Sequence, residues 1–226
     1  MAKKDNELIK NIKLTKPDSM EYYVNLTTPK DQKKFIDRIK KIIRSSKEYK
    51  DYIQYLKENV GLDSCVFFQK VNNGEKKKGR ISIEMHHEPF CLEDYVRVVL
   101  TKYIDEGLPI NDLLIADEVM EIHYRNMVGL VPLSKTMHEM VHNSTKIIIP
   151  LHMCYGQYSQ FLEEYDKWID KGDDEYNLYD KLEKKIDMTN NLTDESFEAI
   201  LREFKYLEIE GIEDISKMEV EGSMVS

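Results

Sequence analysis

The spacing of apolar residues is the feature that most limits the folds open to this chain. Over most of its 226 residues, apolar side chains recur at three- and four-residue intervals, the period of one helix face. Runs rich in β-branched and aromatic residues are few and short. We therefore predict an α+β fold in which a small strand pair and helix are embedded in a mostly helical chain.

Local patterns place the individual elements. Helices are predicted at residues 31–59 with a break at Ser45-Ser46, and at 92–106, 112–126, 134–142, 158–170, 173–187 and 194–207. Residues 65–71 and 80–86 read as strands on either side of Asn73-Gly74, a dipeptide typical of hairpin turns, so we predict a β-hairpin there. Residues 129–133 are predicted to be extended, and residues 1–28 to be irregular.

Charge is distributed unevenly along the chain. The net charge is −9, yet residues 30–50 carry nine Lys and Arg against three Asp and Glu, whereas residues 161–226 carry eight against twenty. We therefore divide the chain into a lead-in with basic helices (1–60), a central core with a helical insertion (61–172) and an acidic helical C-terminal region (173–226). The acidic region is a candidate surface for a protein partner.

Several classes of protein are excluded by what the sequence lacks. No apolar run approaches the roughly 20 residues of a membrane span, and no apolar signal core follows the first residues. Cys65, Cys91 and Cys154 are odd in number and show no Cys-x-x-Cys spacing. Neither a disulfide framework nor a cysteine-type zinc site is therefore predicted. We expect a soluble protein of a reducing compartment, the cytoplasm.

Four of the six histidines fall into two patterns. His86 and His87 are adjacent near the end of a predicted strand, and His138 and His142 are four residues apart in a predicted helix. Residues at i and i+4 share a helix face at about 5–6 Å, so these two imidazoles can close on one divalent cation. His123, in another predicted helix, is expected to be exposed or ion-paired.

The surroundings of these histidines resemble a known motif. Residues 86–89 (HHEP) resemble the opening of the HNH, or ββα-metal, endonuclease motif, and residues 129–142 (GLVPLSKTMHEMVH) resemble its close. The resemblance covers roughly residues 65–145. It implies a ββα-metal core, one divalent ion (magnesium, manganese, nickel or zinc) and DNA as the substrate.

Carried over to this sequence, the all-histidine, colicin-like form of the motif implies four roles. His86, His138 and His142 would be the metal ligands. His87 would be the general base that activates water for attack on a phosphodiester bond. The resemblance thus predicts a metal-dependent DNA endonuclease, encoded by a bacteriophage or a bacterium and acting in the host cytoplasm.

Two other interpretations stay open. Gly129 stands where the motif has an asparagine that braces the loop holding the base, which favours a non-catalytic module that keeps the metal as a cross-link and binds DNA or a protein. Such a module would suit a phage accessory or structural protein. The third interpretation is an interaction or virion protein whose histidines are coincidental.

A lysine-rich turn adds a weaker DNA-binding candidate. Its basic residues lie on the predicted hairpin that carries His86, and they are Lys76, Lys77, Lys78 and Arg80. They could contact the phosphate backbone, although a solvated charge cluster explains them equally well.

Overall fold

The computed structural model describes residues 12–15, 21–24, 26, 28–67, 82–143, 147–172 and 175–192. This part of the chain is mostly helical and contains two antiparallel two-stranded sheets. The prediction of a mostly helical α+β fold is therefore confirmed. None of the helices in these ranges is both long enough and apolar enough to cross a membrane.

The elements follow one another in a simple order. The helices are α1 (Pro29–Ser45), α2 (Lys47–Tyr55), α3 (Leu92–Asp105), α4 (Asp112–Tyr124), α5 (Lys135–Asn143), α6 (Tyr158–Tyr165) and α7 (Leu178–Asn190). The strands are β1 (Ile12–Thr15), β2 (Glu21–Val24), β3 (Ile83–His87) and β4 (Leu130–Ser134). The predicted helix at residues 194–207 lies outside the described residues.

The first long helix begins and ends where its capping residues require. The Thr28 side chain accepts a hydrogen bond from the Asp31 amide at 3.1 Å, and Pro29 occupies the first turn, where its missing N–H costs nothing. Ser46 ends α1 and caps α2, because its side chain accepts from the Tyr49 amide at 3.0 Å. The predicted break at Ser45-Ser46 is confirmed.

The region before α1 is more regular than its sequence indicates. β1 and β2 pair antiparallel, with Ile12 opposite Val24. The prediction of an irregular segment over residues 1–28 is therefore wrong for these two strands. Each strand has only four residues, which is too short to give a clear two-residue periodicity.

The second sheet is assembled from distant parts of the chain. β3 pairs antiparallel with β4, and on the other edge of β4 the carbonyl oxygen of Pro132 accepts from the Val66 amide at 3.0 Å. β4 therefore lies between Val66 and β3, so the predicted pairing of residues 65–71 with 80–86 is wrong for Val66 and β3, while residues 68–81 lie outside the described part of the chain. A local turn signal cannot report a strand inserted from later in the chain. The turn itself lies outside the described residues, as do Lys76, Lys77, Lys78 and Arg80.

The buried hydrophobic side chains of the described residues form two separate cores. The larger is built mainly by α1, α3, α4 and α6, and includes the fully buried Ile39, Tyr95, Val119 and Phe161. The smaller lies under α5 and consists of Cys65, Phe67, Ile83, Val131, Leu133, Met137 and Ile149. Each fully buried large side chain contributes about 1.5–3 kcal/mol, so most of the stabilisation comes from the larger core.

Gly129, just before β4, lies directly against the end of β3. Its carbonyl oxygen accepts from the Glu88 amide at 3.0 Å. A Cβ atom at position 129 would lie 1.8 Å from the Glu88 carbonyl oxygen, far inside contact distance. There is consequently no space at this position for the asparagine of the HNH motif.

We predict that Gly129→Ala lowers the free energy of unfolding by at least about 2 kcal/mol, because the methyl group forces β3 and β4 apart. Urea denaturation followed by circular dichroism measures this change. Gly172→Ala is the control, since a Cβ there meets only Asp170 at an ordinary 3.6 Å. Equal stability of Gly129→Ala and the wild type would contradict the close approach.

Candidate metal centre

The alternation of side chains along β3 decides which residues can meet. Successive side chains in a strand point to opposite faces, so Glu84 and His86 share one face while Met85 and His87 share the other. β4 runs directly into α5 and so brings this helix against the first face. The Ser134 hydroxyl, which accepts from the Met137 amide at 3.3 Å, caps the start of α5.

Three histidines meet between β3 and α5. The ring centroids of His86 and His138 are 5.2 Å apart, those of His86 and His142 are 5.0 Å apart, and those of His138 and His142 are 4.8 Å apart. One nitrogen from each ring lies within 4.8 Å of the other two. The structure thus brings together the three residues that the sequence analysis named as metal ligands. We call them the histidine cluster.

The carboxylate of Glu84 lies behind one member of the histidine cluster. Glu84 Oε2 lies 2.6 Å from His138 Nδ1, so the carboxylate accepts the Nδ1 proton. The lone pair of His138 then lies on Nε2, which is 3.1 Å from His142 Nε2. A carboxylate behind a ligating imidazole fixes its orientation and raises its basicity. Sequence analysis missed Glu84, although its two-residue spacing from His86 placed it on the same face.

The histidine cluster lies at the edge of the protein. His86 is buried, His138 is half-buried and His142 is exposed. The pKa of His142 is lowered by its partial burial and then by the neighbouring charges of His86, His138 and Arg44. A lowered pKa favours the neutral imidazole, which is the form that binds metals. An ion could therefore reach the cluster from the side of His142.

His87 faces away from the histidine cluster and into the larger core. Its Nε2 lies 3.0 Å from His123 Nε2, and His123 Nδ1 lies 2.7 Å from the Val119 carbonyl oxygen. A carbonyl can only accept, so His123 carries its proton on Nδ1 and accepts from His87 through Nε2. The proton-bearing nitrogen of His87 is therefore engaged by another side chain.

The expectation that His123 is exposed or ion-paired is wrong. Its ring is completely buried and lies edge-on to Tyr49 and Tyr52, with centroids 5.7 and 5.6 Å away. Burial lowers the pKa of His123 to about 4, and burial is also the main reason that the pKa of His87 is lowered. One signal could have found this position, because His123 continues the buried stripe of Val119 and Met120 on α4.

Comparison with known protein families gives one match. Residues 1–215 match the family of bacteriophage G278-like virion proteins. The chain belongs to this family. No curated protein and no solved structure gives a significant match. The phage origin expected from the sequence is confirmed, while the cytoplasmic location stays a prediction.

Membership of a virion protein family corrects the predicted activity. A family of virion proteins points to a non-enzymatic role, so the prediction that the protein is an enzyme, a metal-dependent DNA endonuclease, is wrong. The match likewise gives no support to membership of the HNH family. The structure offers a physical account, because His87 is turned away from the histidine cluster and position 129 cannot hold the bracing asparagine.

The pair of His87, which is half-buried, and His123, which is fully buried, should make the fold sensitive to acid. Unfolded histidines take up protons below about pH 6.5, whereas folded His123 resists protonation down to about pH 4 and the pKa of His87 is also lowered by burial. The unfolded state therefore binds more protons in this window, and stability falls as the pH falls, by up to about 1.4 kcal/mol per pH unit for each histidine.

We predict that His123→Phe makes the free energy of unfolding less dependent on pH. Between pH 4 and 6.5, with a chelator present, the slope should correspond to about one proton fewer taken up on unfolding. The exposed His152 supplies the control, and His152→Gln should behave as the wild type. An unchanged slope in His123→Phe would show that this pair does not control acid stability.

Proposed function

We propose that this virion protein is a non-catalytic structural component of the phage particle whose histidine cluster binds one divalent transition-metal ion. The ion would cross-link β3 to α5. The observation that carries the proposal is the convergence of three imidazole nitrogens within 4.8 Å from two separate elements. The succession of β3, β4 and α5 around these ligands is also the order of elements in a ββα-metal core.

The donor set favours some ions over others. Imidazole nitrogen suits zinc, nickel, cobalt and copper, whereas magnesium and manganese prefer oxygen ligands. Zinc(II) accepts three imidazoles together with a fourth ligand in tetrahedral geometry. Among the ions that the HNH resemblance implied, zinc and nickel therefore fit this cluster better than magnesium or manganese.

A cross-link at this place would stabilise an element with little else to hold it. α5 has only nine residues, and Met137 is the one side chain on it that is fully buried. Helices this short are marginal in water without tertiary contacts. An ion bound by His138 and His142 on the helix and by His86 on β3 would supply such a contact.

A second feature supports contact with an anionic partner, for which we propose DNA. The outer face of α1 carries exposed cations within an arc of about 100°, and they are Lys30, Lys33, Lys34, Lys41 and Arg44. Other basic residues of α1 are neutralised, since Arg38 pairs with Asp112 at 3.0 Å and Lys40 with Glu93 at 2.8 Å. The five exposed cations have no ion-pair partner among the described residues, so they can contact phosphates.

Metal binding is tested directly by calorimetric titration of chelator-treated protein with zinc(II). We expect one ion per chain and a rise in melting temperature of about 5 °C or more at saturation. His138→Ala should lose both effects, because it removes one of the three proposed ligands. His152→Ala, which changes an exposed histidine elsewhere, should keep them.

Supercoiled plasmid incubated with the metal-loaded protein should remain intact, as expected of a structural site. Failure of the wild type to bind zinc, nickel or cobalt would overturn the proposed cross-link.

The DNA contact is tested by reversing charges on α1. The triple variant Lys33→Glu, Lys34→Glu, Lys41→Glu should bind double-stranded DNA at least about tenfold more weakly at low salt, with a shallower salt dependence. The control makes the same change in net charge at exposed lysines outside α1, with Lys135→Glu, Lys167→Glu and Lys171→Glu. Equal losses in the two triple variants would show that total charge, not the α1 face, governs binding.

A further inference from the structure

The histidine cluster supplies three donor atoms to an ion. Among the described residues, the nitrogens of His86, His138 and His142 form the one group of donor atoms close enough to hold a metal, and no carboxylate or thiol joins them. Structural zinc sites are almost always tetrahedral, with four protein ligands. One coordination position of an ion bound here would therefore remain for a donor from outside the cluster.

The remaining position lies on the outer side of the cluster. His86, on β3, is buried, whereas His138 is half-buried and His142, in the last turn of α5, is exposed. An ion held between β3 and α5 is thus covered by protein on the side of His86 and accessible on the side of His142. A donor on another molecule can approach it from that side.

A divalent ion at this place would be short of negative charge. It brings two positive charges, and neutral imidazoles offset neither of them. The Glu84 carboxylate, 2.6 Å from His138 Nδ1, offsets part of this charge. The Glu88 carboxylate is already paired with Lys185 at 2.7 Å. An anionic fourth ligand therefore fits the site better than a neutral one.

Arg44 adds a positive charge near His142. It lies in the last turn of α1, is exposed and has no ion-pair partner among the described residues. Partial burial is the main cause of the lowered pKa of His142, and the charges of His86, His138 and Arg44 contribute as well. The guanidinium is therefore near enough to attract the same anion. A carboxylate, with two oxygens, can contact both the ion and a guanidinium.

We propose that the fourth ligand is a carboxylate of a second copy of this chain, so that the ion joins two copies at the edge formed by α5 and the end of α1. This inference rests on the proposed metal-binding function. One oxygen of the incoming carboxylate replaces a water molecule on the ion, and the other pairs with Arg44. The chain has 42 Asp and Glu against 33 Lys and Arg, so a second copy offers the required donor in excess.

The test follows the association of the full chain by sedimentation velocity, before and after zinc(II) is added to chelator-treated protein. Zinc should lower the dissociation constant of the dimer at least about tenfold. His138→Ala, which lacks one of the three proposed ligands, should not respond to zinc. Mixed with zinc-loaded wild type, it should still form mixed dimers, because it keeps the carboxylate. His152→Ala, which changes an exposed histidine elsewhere, should behave as the wild type.

Azide shows whether the contact is made at the ion. Excess azide should take the remaining coordination position and dissociate the dimers, while equilibrium dialysis still finds one zinc ion per chain. A zinc-dependent dimer that resists azide would be held by other contacts and would overturn the proposal.

Arg44→Gln tests the second contact of the carboxylate. The variant should weaken the zinc-dependent dimer about two- to fivefold, the size expected of an exposed ion pair, and should leave the zinc affinity of the dilute monomer unchanged. Lys167→Gln, which removes the same charge from an exposed residue elsewhere, is the control. Equal association of Arg44→Gln and the wild type would show that the contact does not lie at this edge.

These outcomes separate the two proposals. If the wild type binds no zinc, nickel or cobalt, the cross-link function fails and the contact between copies with it. If the wild type binds one ion per chain and stays monomeric with and without the ion, only the contact between copies fails.

Discussion

The register between β3 and β4 is the constraint on which the rest of the structure depends. His86 lies opposite Val131, and the same register places His87 opposite Leu130. Because side chains alternate along a strand, a slip of one residue would exchange the faces of His86 and His87. The close approach of Gly129 to Glu88 at the end of the ladder locks this register, since a side chain at position 129 would push the strands apart.

This register places the two adjacent histidines on opposite faces of the sheet. His86 joins the histidine cluster at the protein edge, whereas His87 is held against His123 in the larger core. A nuclease of the type suggested by the sequence needs the base and the ion on the same water molecule. Here the imidazoles of His86 and His87 lie on different sides of the sheet. This agrees with the non-enzymatic role to which the virion protein family points.

The sequence predicted helices well and long-range contacts poorly, for physical reasons. Helix periodicity and capping are local, so α1, α3 and α5 lie close to where the pattern put them. The partner of β3 depends on which distant strand fits beside it, and no local turn signal contains that information. Two members of the histidine cluster could be predicted from the sequence, because their four-residue spacing puts His138 and His142 on one helix face. The anchoring of Glu88 by Lys185 could not, since composition presents α7 as part of an acidic appendage.

The lysines of α7, not the net charge of the acidic region, determine how this helix is attached to the rest of the fold. Lys185 reaches the buried carboxylate of Glu88 just after β3, and Lys181 reaches that of Asp94 in the first turn of α3, so α7 packs as part of the fold. The smaller core under α5 contributes less apolar burial than the larger one. Metal coordination and the Glu88–Lys185 pair would act on that weaker side. If the histidine cluster binds an ion as proposed, its loss should loosen α5 and the end of β3 first, while the larger core around His123 stays folded.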